Sequence, residues 1–243
     1  MKIVILSTIT KHHIYFINKI LEKFNSTFTI FTKVSEKDNY KNKSFYEDDE
    51  NKYEEKFFQE KKGKVDKEIK KEKIILKNVR DINASSVIRK IKEIQPHIGI
   101  IFGTKLISKK VYSLPRWGTI NIHRGLTQFY RGLDSDLWPL FEKKFDKIGV
   151  TIHYVDENYD TGGILEQKKI KLKKKDKIFH LRYLTTIIAT KLVLNLLERF
   201  KKKKKKIRSI KLLNKGNYKS HIPLKFKYMA EKNLENYLKH SKK

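Results

Sequence analysis

The chain has 243 residues, with 57 lysines and arginines against 27 acidic residues and a formal charge of +30. It contains no cysteine, which excludes a disulfide framework, a thiolate nucleophile and cysteine-ligated zinc or iron–sulfur sites, and fits a reducing cytoplasm. The length suits one principal domain with an appendage and a real core.

Charge alone invites a nucleic-acid reading, because lysines that neutralise phosphates bind without regard to sequence. The lysines, however, run along the whole chain among abundant Ile, Asn and Tyr, a pattern that low-GC coding bias also produces. Only 201–206 (KKKKKK) is a dense block. At the end of a predicted helix such a block is a solvated, dipole-compatible terminus, with at most a weak, nonspecific attraction to RNA or anionic headgroups.

The opening run MKIVILSTIT has one lysine and no small-residue cleavage site, and it predicts a first strand rather than a signal peptide. A strand at 2–7, Thr10 as N-cap, a helix at 12–24 and an alternating strand at 27–34 give a β-α-β unit. Residues 36–73 are charged and poor in aliphatics, which reads as an insertion with one or two polar helices or as disorder. The pattern resumes with a strand at 74–79, a cap at Asp81 or Asn83, a helix at 84–94 stopped by Pro96, and a buried strand at 98–103.

Strands at 118–123, 149–155 and 163–172 follow, with a helix around 134–144 between the first two. The segment 178–200 is apolar but interrupted by Arg182, Lys191 and Asn195, too broken for a membrane span. Its Leu181, Leu184, Ile188, Leu192 and Leu196 predict one core-facing helical stripe. A short ribbon and a last helix complete the chain. Strands alternating with helices predict an α/β, doubly wound, mostly parallel sheet over residues 1–200, followed by a basic C-terminal extension at 201–243. Ligands in such sheets sit beyond the carboxyl ends of the strands.

One stretch there concentrates chemistry. In TINIHRGLTQFYRGLDSDLW (119–138), strand alternation points Asn121 and His123 the same way, about 7 Å apart. Downstream, GVTIHYVDENYDTGGIL supplies Asp160 beside Gly162 and Gly163. An amide can donate to a developing oxyanion, an imidazole can take an amine proton, and a carboxylate would orient that imidazole and raise its pKa. An N-x-H strand or a DTGG turn alone is common and usually structural. Together, in this order, they are far more specific.

Residues 97–170 resemble the folate-dependent formyltransferases, the group of glycinamide ribonucleotide, methionyl-tRNA and sugar N-formyltransferases. The resemblance rests on Asn121-Ile122-His123, Tyr130-Arg131-Gly132, the strand Gly149 to Val155 and Asp160-Thr161-Gly162. It implies a Rossmann-like formyltransferase fold, a catalytic trio of Asn121, His123 and Asp160, 10-formyltetrahydrofolate as formyl donor without a metal, and a small-molecule amine as acceptor. The pterin would lie against Ile101, Phe102, Gly103, Thr104 and Leu106 and against the loop of Asp156, Tyr159 and Thr161. Arg131, Gly132, Arg124 and His12 would meet the acceptor, and His153 would support the site. A homodimer is left open.

The chain departs from the family at Gly125, where many members carry serine, and at Gln128 in a loop that often holds proline. Asp134 or Asp136 reads as a helix cap, with Trp138 packing below. About 40 residues beyond the long helix are too few for the C-terminal barrel of the tRNA members. The loop after the first strand lacks the glycine-containing phosphate loop of the purine members. An amino sugar nucleotide is the acceptor left by elimination. Two rivals stand beside it: a nucleic-acid-binding protein and a noncatalytic folate binder.

Overall fold

Strands β1 (Ile3–Thr8) and β4 (Ile98–Phe102) are buried almost throughout, as interior strands covered on both faces must be. The computed structural model describes residues 1–33, 44–58 and 73–240. Around that pair, β2 (Thr27–Thr32), β3 (Ile74–Val79), β5 (Thr119–His123), β7 (Gly149–Tyr154) and β8 (Ile164–Lys169) make a seven-stranded sheet in the order β3-β2-β1-β4-β5-β7-β8. The first five strands in that order are parallel, β7 runs against them, and β8, antiparallel to β7, returns to their direction. Chain order reverses between β1 and β4, so the crevice beyond their carboxyl ends is the switch point at which such sheets bind ligands. A short parallel pair, β6 (Tyr130–Gly132) with β9 (Asn217–Lys219), stands outside the sheet.

Helices cover both faces. One face packs against α1 (Lys11–Lys23) and the long α6 (Leu181–Lys203), joining Phe16, Ile17 and Ile20 to Val193, Leu196, Leu197 and Phe200. The other packs Val87, Ile91 and Ile94 of α3 (Ser85–Ile94) and Val111 of α4 (Lys109–Tyr112) against Val4, Leu6 and Ile30. A third cluster joins α5 (Trp138–Phe141), the start of α6 and α7 (Leu224–His240).

The predicted α6 stripe faces the core, with Leu181 and Leu196 buried and Leu184, Ile188 and Leu192 packed against the clusters, and the buried face is wider than that stripe. Fully buried positions include Thr185, Thr186, Ala189, Thr190 and Val193, while Leu184, Ile188 and Leu192 are half-buried between two clusters. Buried threonines are tolerated because each hydroxyl donates to a carbonyl one turn back: Thr185 to Leu181, Thr186 to Arg182 and Thr190 to Thr186. Only α5 and a 3-10 turn at Phe145–Lys147 stand where a helix at 134–144 was expected.

The caps also differ. Ala84 precedes α3, while Asn83 ties down the next loop, donating to the Leu106 carbonyl and accepting from the Ser108 N–H. Thr10 sits at the N-cap of α1, but its hydroxyl bonds the His12 and His13 rings and not the helix backbone.

Of the predicted insertion, 36–43 and 59–72 lie outside the described residues. Between them, α2 (Glu47–Phe58) docks on α1 and α6 through charge. Arg182 Nε and Nη2 donate to Glu54 at 2.7 and 2.9 Å, and Nη1 pairs with Glu50 at 2.8 Å. Glu54 is fully buried, so this bidentate pair has little water to screen it. Burial pushes the Glu50 carboxyl up to about 7, even with Arg182 beside it.

Removing one partner of a buried pair strands the other, at about 3–5 kcal/mol. Urea unfolding should therefore show Glu54→Ala destabilised by about that much, and the triple variant Glu50→Leu, Glu54→Leu, Arg182→Met, which strands no charge, close to wild type.

Candidate active site

Asn121 and His123 stand on one face of β5 near its carboxyl end. β7 is antiparallel to β5, in the register Asn121↔His153 and His123↔Thr151, so its own carboxyl end points away from them. The loop after it folds back to deliver Asp160, a left-handed residue at φ 51°. The structure thus brings the three together: Asn121 Nδ2 donates to Asp160 Oδ1 at 3.0 Å, and Asp160 Oδ2 lies 3.4 Å from His123 Nδ1.

Neighbouring groups fix the orientation of each. The Gly132 N–H donates to Asp160 Oδ2 at 2.8 Å. Gly132 has φ 86°, and a Cβ there would meet the Lys219 carbonyl at 2.3 Å, so glycine is required on both counts. His153 Nδ1 lies 2.8 Å from the Tyr154 carbonyl, which places its proton there and leaves Nε2 to accept from Asn121 Nδ2 at 3.2 Å. His123 Nε2 lies 3.0 Å from the Tyr130 carbonyl. Donation to that carbonyl leaves the lone pair on Nδ1, facing Asp160.

Electrostatics follow from burial. Burial opposes ionisation of Asp160, but the His123 and His153 rings and the Gly132 N–H outweigh it and hold the carboxyl far below its usual range. Burial lowers the His123 pKa below the ordinary 6.5, and the Asp160 charge pulls back without reversing it. The sequence predicted a raised value from the carboxylate alone, and desolvation of the fully enclosed ring is the larger effect. The result is a neutral imidazole facing a fixed carboxylate, which is what proton abstraction from an amine needs.

The acceptor-side candidates separate. Arg131 donates from Nε to the Gly216 carbonyl at 2.7 Å and from Nη1 to the Tyr159 carbonyl at 3.0 Å, and so straps the C-terminal segment and the Asp160 loop together. His12 is buried, 3.7 Å from Glu54 Oε1, and burial first, with Arg182 and Arg124, lowers its pKa well below the ordinary value. Covered by α2, it does not stand at a surface to meet an anion. Its neighbour His13 bonds Thr8 and Thr10 and packs where a Gly103 side chain would stand. Arg124 lies 3.9 Å from Asp136, and its Nη1 is buried with no partner among the described residues.

Neither aspartate of the DSD stretch caps α5. Asp134 binds the Ile222 N–H at 3.0 Å and His221 at 3.2 Å, while Asp136 is buried against Arg124. Departure from the family at Gly125 has a steric cause: a Cβ there would fall 2.6 Å from both His123 Nε2 and Ser135 Cβ.

On the donor side, Phe102 ends β4 and Gly103 begins a loop on which Thr104, Lys105 and Leu106 donate no backbone hydrogen bond to a protein acceptor among the described residues. Leu106 and, on the second loop, Tyr159 are exposed, while Asp156 closes that second loop by accepting from the Thr161 hydroxyl at 2.7 Å. Free peptide donors between uncovered apolar side chains suit a flat heteroaromatic group read by the backbone. Among the described residues no His, Cys, Asp and Glu cluster could hold a metal, and no helix is long and apolar enough to cross a membrane.

Known proteins match the chain in sequence and in fold. The family model described as "Formyl transferase" matches residues 1–191. Methionyl-tRNA formyltransferase of Thermodesulfovibrio yellowstonii is 32% identical over 117 residues, 47% of this chain and 37% of that protein. GDP-perosamine N-formyltransferase of Brucella melitensis is 36% identical over 76 residues, 31% of this chain and 29% of that protein. The matches thus span less than half the length of these curated relatives. Among solved structures, a sugar N-formyltransferase from a Shewanella species shares the fold at TM-score 0.59 and 18% identity, covering 96% of this chain and 87% of that one. HypX from Aquifex aeolicus in complex with tetrahydrofolic acid does so at TM-score 0.60 and 15% identity, over 93% of this chain and 30% of that one.

Two outcomes test the site. Gly125→Ser should push the His123 ring away and lower kcat by at least about a hundredfold, the scale of a lost general base, while thermal unfolding shows a folded protein. With His123 depressed below 6.5 and Asp160 ionised throughout, the acid limb of kcat/KM should fall below pH 6.5, where protonation removes the base; a limb above pH 7 would contradict it.

Proposed function

The chain belongs to the formyl transferase family, and from that premise we propose that it transfers a formyl group from 10-formyltetrahydrofolate to a primary amine of a small acceptor, an amino sugar nucleotide. The observation that carries the reading is the contact set of Asn121, His123 and Asp160 at one point of the sheet edge.

The donor, when bound, supplies a formyl carbon activated by attachment to a nitrogen that can leave. Its pterin would rest on the 101–106 loop and on Asp156, Tyr159 and Thr161. Asn121 Nδ2 keeps one N–H on Asp160 and turns the other, which meets His153 Nε2 in the free protein, to the negative charge that develops on the formyl oxygen, an interaction worth about 3–4 kcal/mol where such donors have been removed. His123 Nδ1 takes the proton of the attacking amine as the new C–N bond forms, and returns it to the leaving nitrogen as the old one breaks. Asp160 stabilises the imidazolium between those events, and its bonds to Gly132 and Asn121 keep it from moving.

The acceptor assignment draws on relatives of both kinds. Sugar N-formyltransferases share the fold across most of their length, and by sequence the matched stretch is a minor part of the methionyl-tRNA and the sugar relatives alike. Methionyl-tRNA or glycinamide ribonucleotide is the second reading.

The purified chain should formylate at least one member of a panel of UDP-, dTDP- and GDP-linked amino sugars in the presence of 10-formyltetrahydrofolate, followed by mass spectrometry of the formamide. Asn121→Ala and His123→Ala should each cost about 10²–10³-fold in kcat. Formylation of charged initiator tRNA but of no amino sugar would move the assignment to the second reading.

A further inference from the structure

Arg124 and Asp136 form an incomplete pair beside His123. Arg124 Nε stands 3.9 Å from Asp136 Oδ2, beyond hydrogen-bond length. Nη1 is buried without an acceptor among the described residues, and the Asp136 side chain is only 6% exposed. A buried guanidinium nitrogen left unsatisfied costs free energy, and native structures rarely keep one without a use.

The surrounding groups are already engaged. The Ser135 hydroxyl donates to the Gly132 carbonyl and Asp134 accepts from the Ile222 N–H, which ties down the backbone leading into Asp136. Glu50 and Glu54 already hold Arg182, and His12 and His13 are uncharged because burial lowers both well below the ordinary value. Arg124 follows His123 in the chain and Asp136 follows Ser135, which closes on the His123 ring across Gly125, so the pair lies beside the base.

A donor fork and a carboxylate separated by that gap match one kind of group. A hydroxyl between them accepts from Arg124 and donates to Asp136. A phosphate would satisfy Arg124 but set its negative charges against a buried carboxylate, which is unfavourable. We propose that Arg124 and Asp136 read a hydroxyl vicinal to the reacting amine, so that the acceptor is a hydroxylated amino sugar whose phosphates lie away from this pair. This specificity role rests on the formyl-transfer reading of the site.

Titration calorimetry on the full chain can separate the two. A UDP-linked 4-amino-4,6-dideoxyhexose with its vicinal 3-hydroxyl should bind at least about tenfold more tightly than its 3-deoxy counterpart, the lower end for a hydrogen bond to a charged group. Arg124→Gln and Asp136→Asn should each abolish that preference by weakening only the hydroxylated ligand, while the affinity for tetrahydrofolate stays at the wild-type value. Equal binding of the two sugars by the wild type, or binding of neither, overturns the pair's role. Preference without formyl transfer would keep the role and refute the transfer reading, and transfer without preference would do the reverse.

Discussion

The Asp160 carboxylate is the constraint around which the site is arranged. A charge only 10% exposed is tolerable only when its lone pairs are met by donors or cations. Two donors from separate strands meet it, Asn121 Nδ2 from β5 and the Gly132 N–H from β6, and the His123 and His153 rings of β5 and β7 stand 3.4 and 3.3 Å away, each able to donate to it once protonated. Each must be placed to within a fraction of an ångström. The β5–β7 register achieves part of this, because a slip of one residue would turn His153 to the opposite face of the sheet.

The far end of the chain is tied to the same point. β9 pairs with β6, Arg131 joins the Gly216 carbonyl to the Asp160 loop, Asp134 holds Ile222, and Trp138 Nε1 donates to the Ser220 carbonyl. The family match stops at residue 191, yet residues beyond it brace the loop that carries Gly132. Residues 201–243, set apart in the sequence as a basic extension, thus fold back on the loops around Asp160, and changes in them can reach Asp160 through Arg131.

Much of this was legible locally. β5 and β7 announce themselves by alternation, and Asn121 and His123 share a face because a strand repeats every two residues. The parallel sheet followed from alternating strands and helices. What stayed hidden depended on contacts across the chain. Arg131 binds backbone carbonyls, which have no side-chain signature in a sequence. His12 read as an acceptor contact because nothing local indicates that α2, inside a charged insertion, will cover it. Asp136 looked like a cap because Asp often caps helices, whereas its burial against Arg124 arises only when the 132–137 loop folds over Gly125. The pKa of His123 was misjudged in sign for the same reason: a nearby carboxylate can be inferred from a motif, but enclosure cannot.

The arginines among so many lysines now have distinct explanations. Arg116 is exposed ahead of β5, at the end of the sheet opposite His123, and its backbone alone serves the fold, donating to the Pro96 carbonyl. At Arg131 two fixed nitrogens reach two carbonyls in different directions, and at Arg182 one side of the guanidinium fork grips Glu54 while another nitrogen meets Glu50. A lysine ammonium, a point charge on a flexible stem, could satisfy one partner at each place but not the arrangement. Arg131 and Arg182 stand where two directions must be held at once, and Arg124 is half-buried beside Asp136, whereas Arg80, Arg89, Arg116 and Arg208 are exposed.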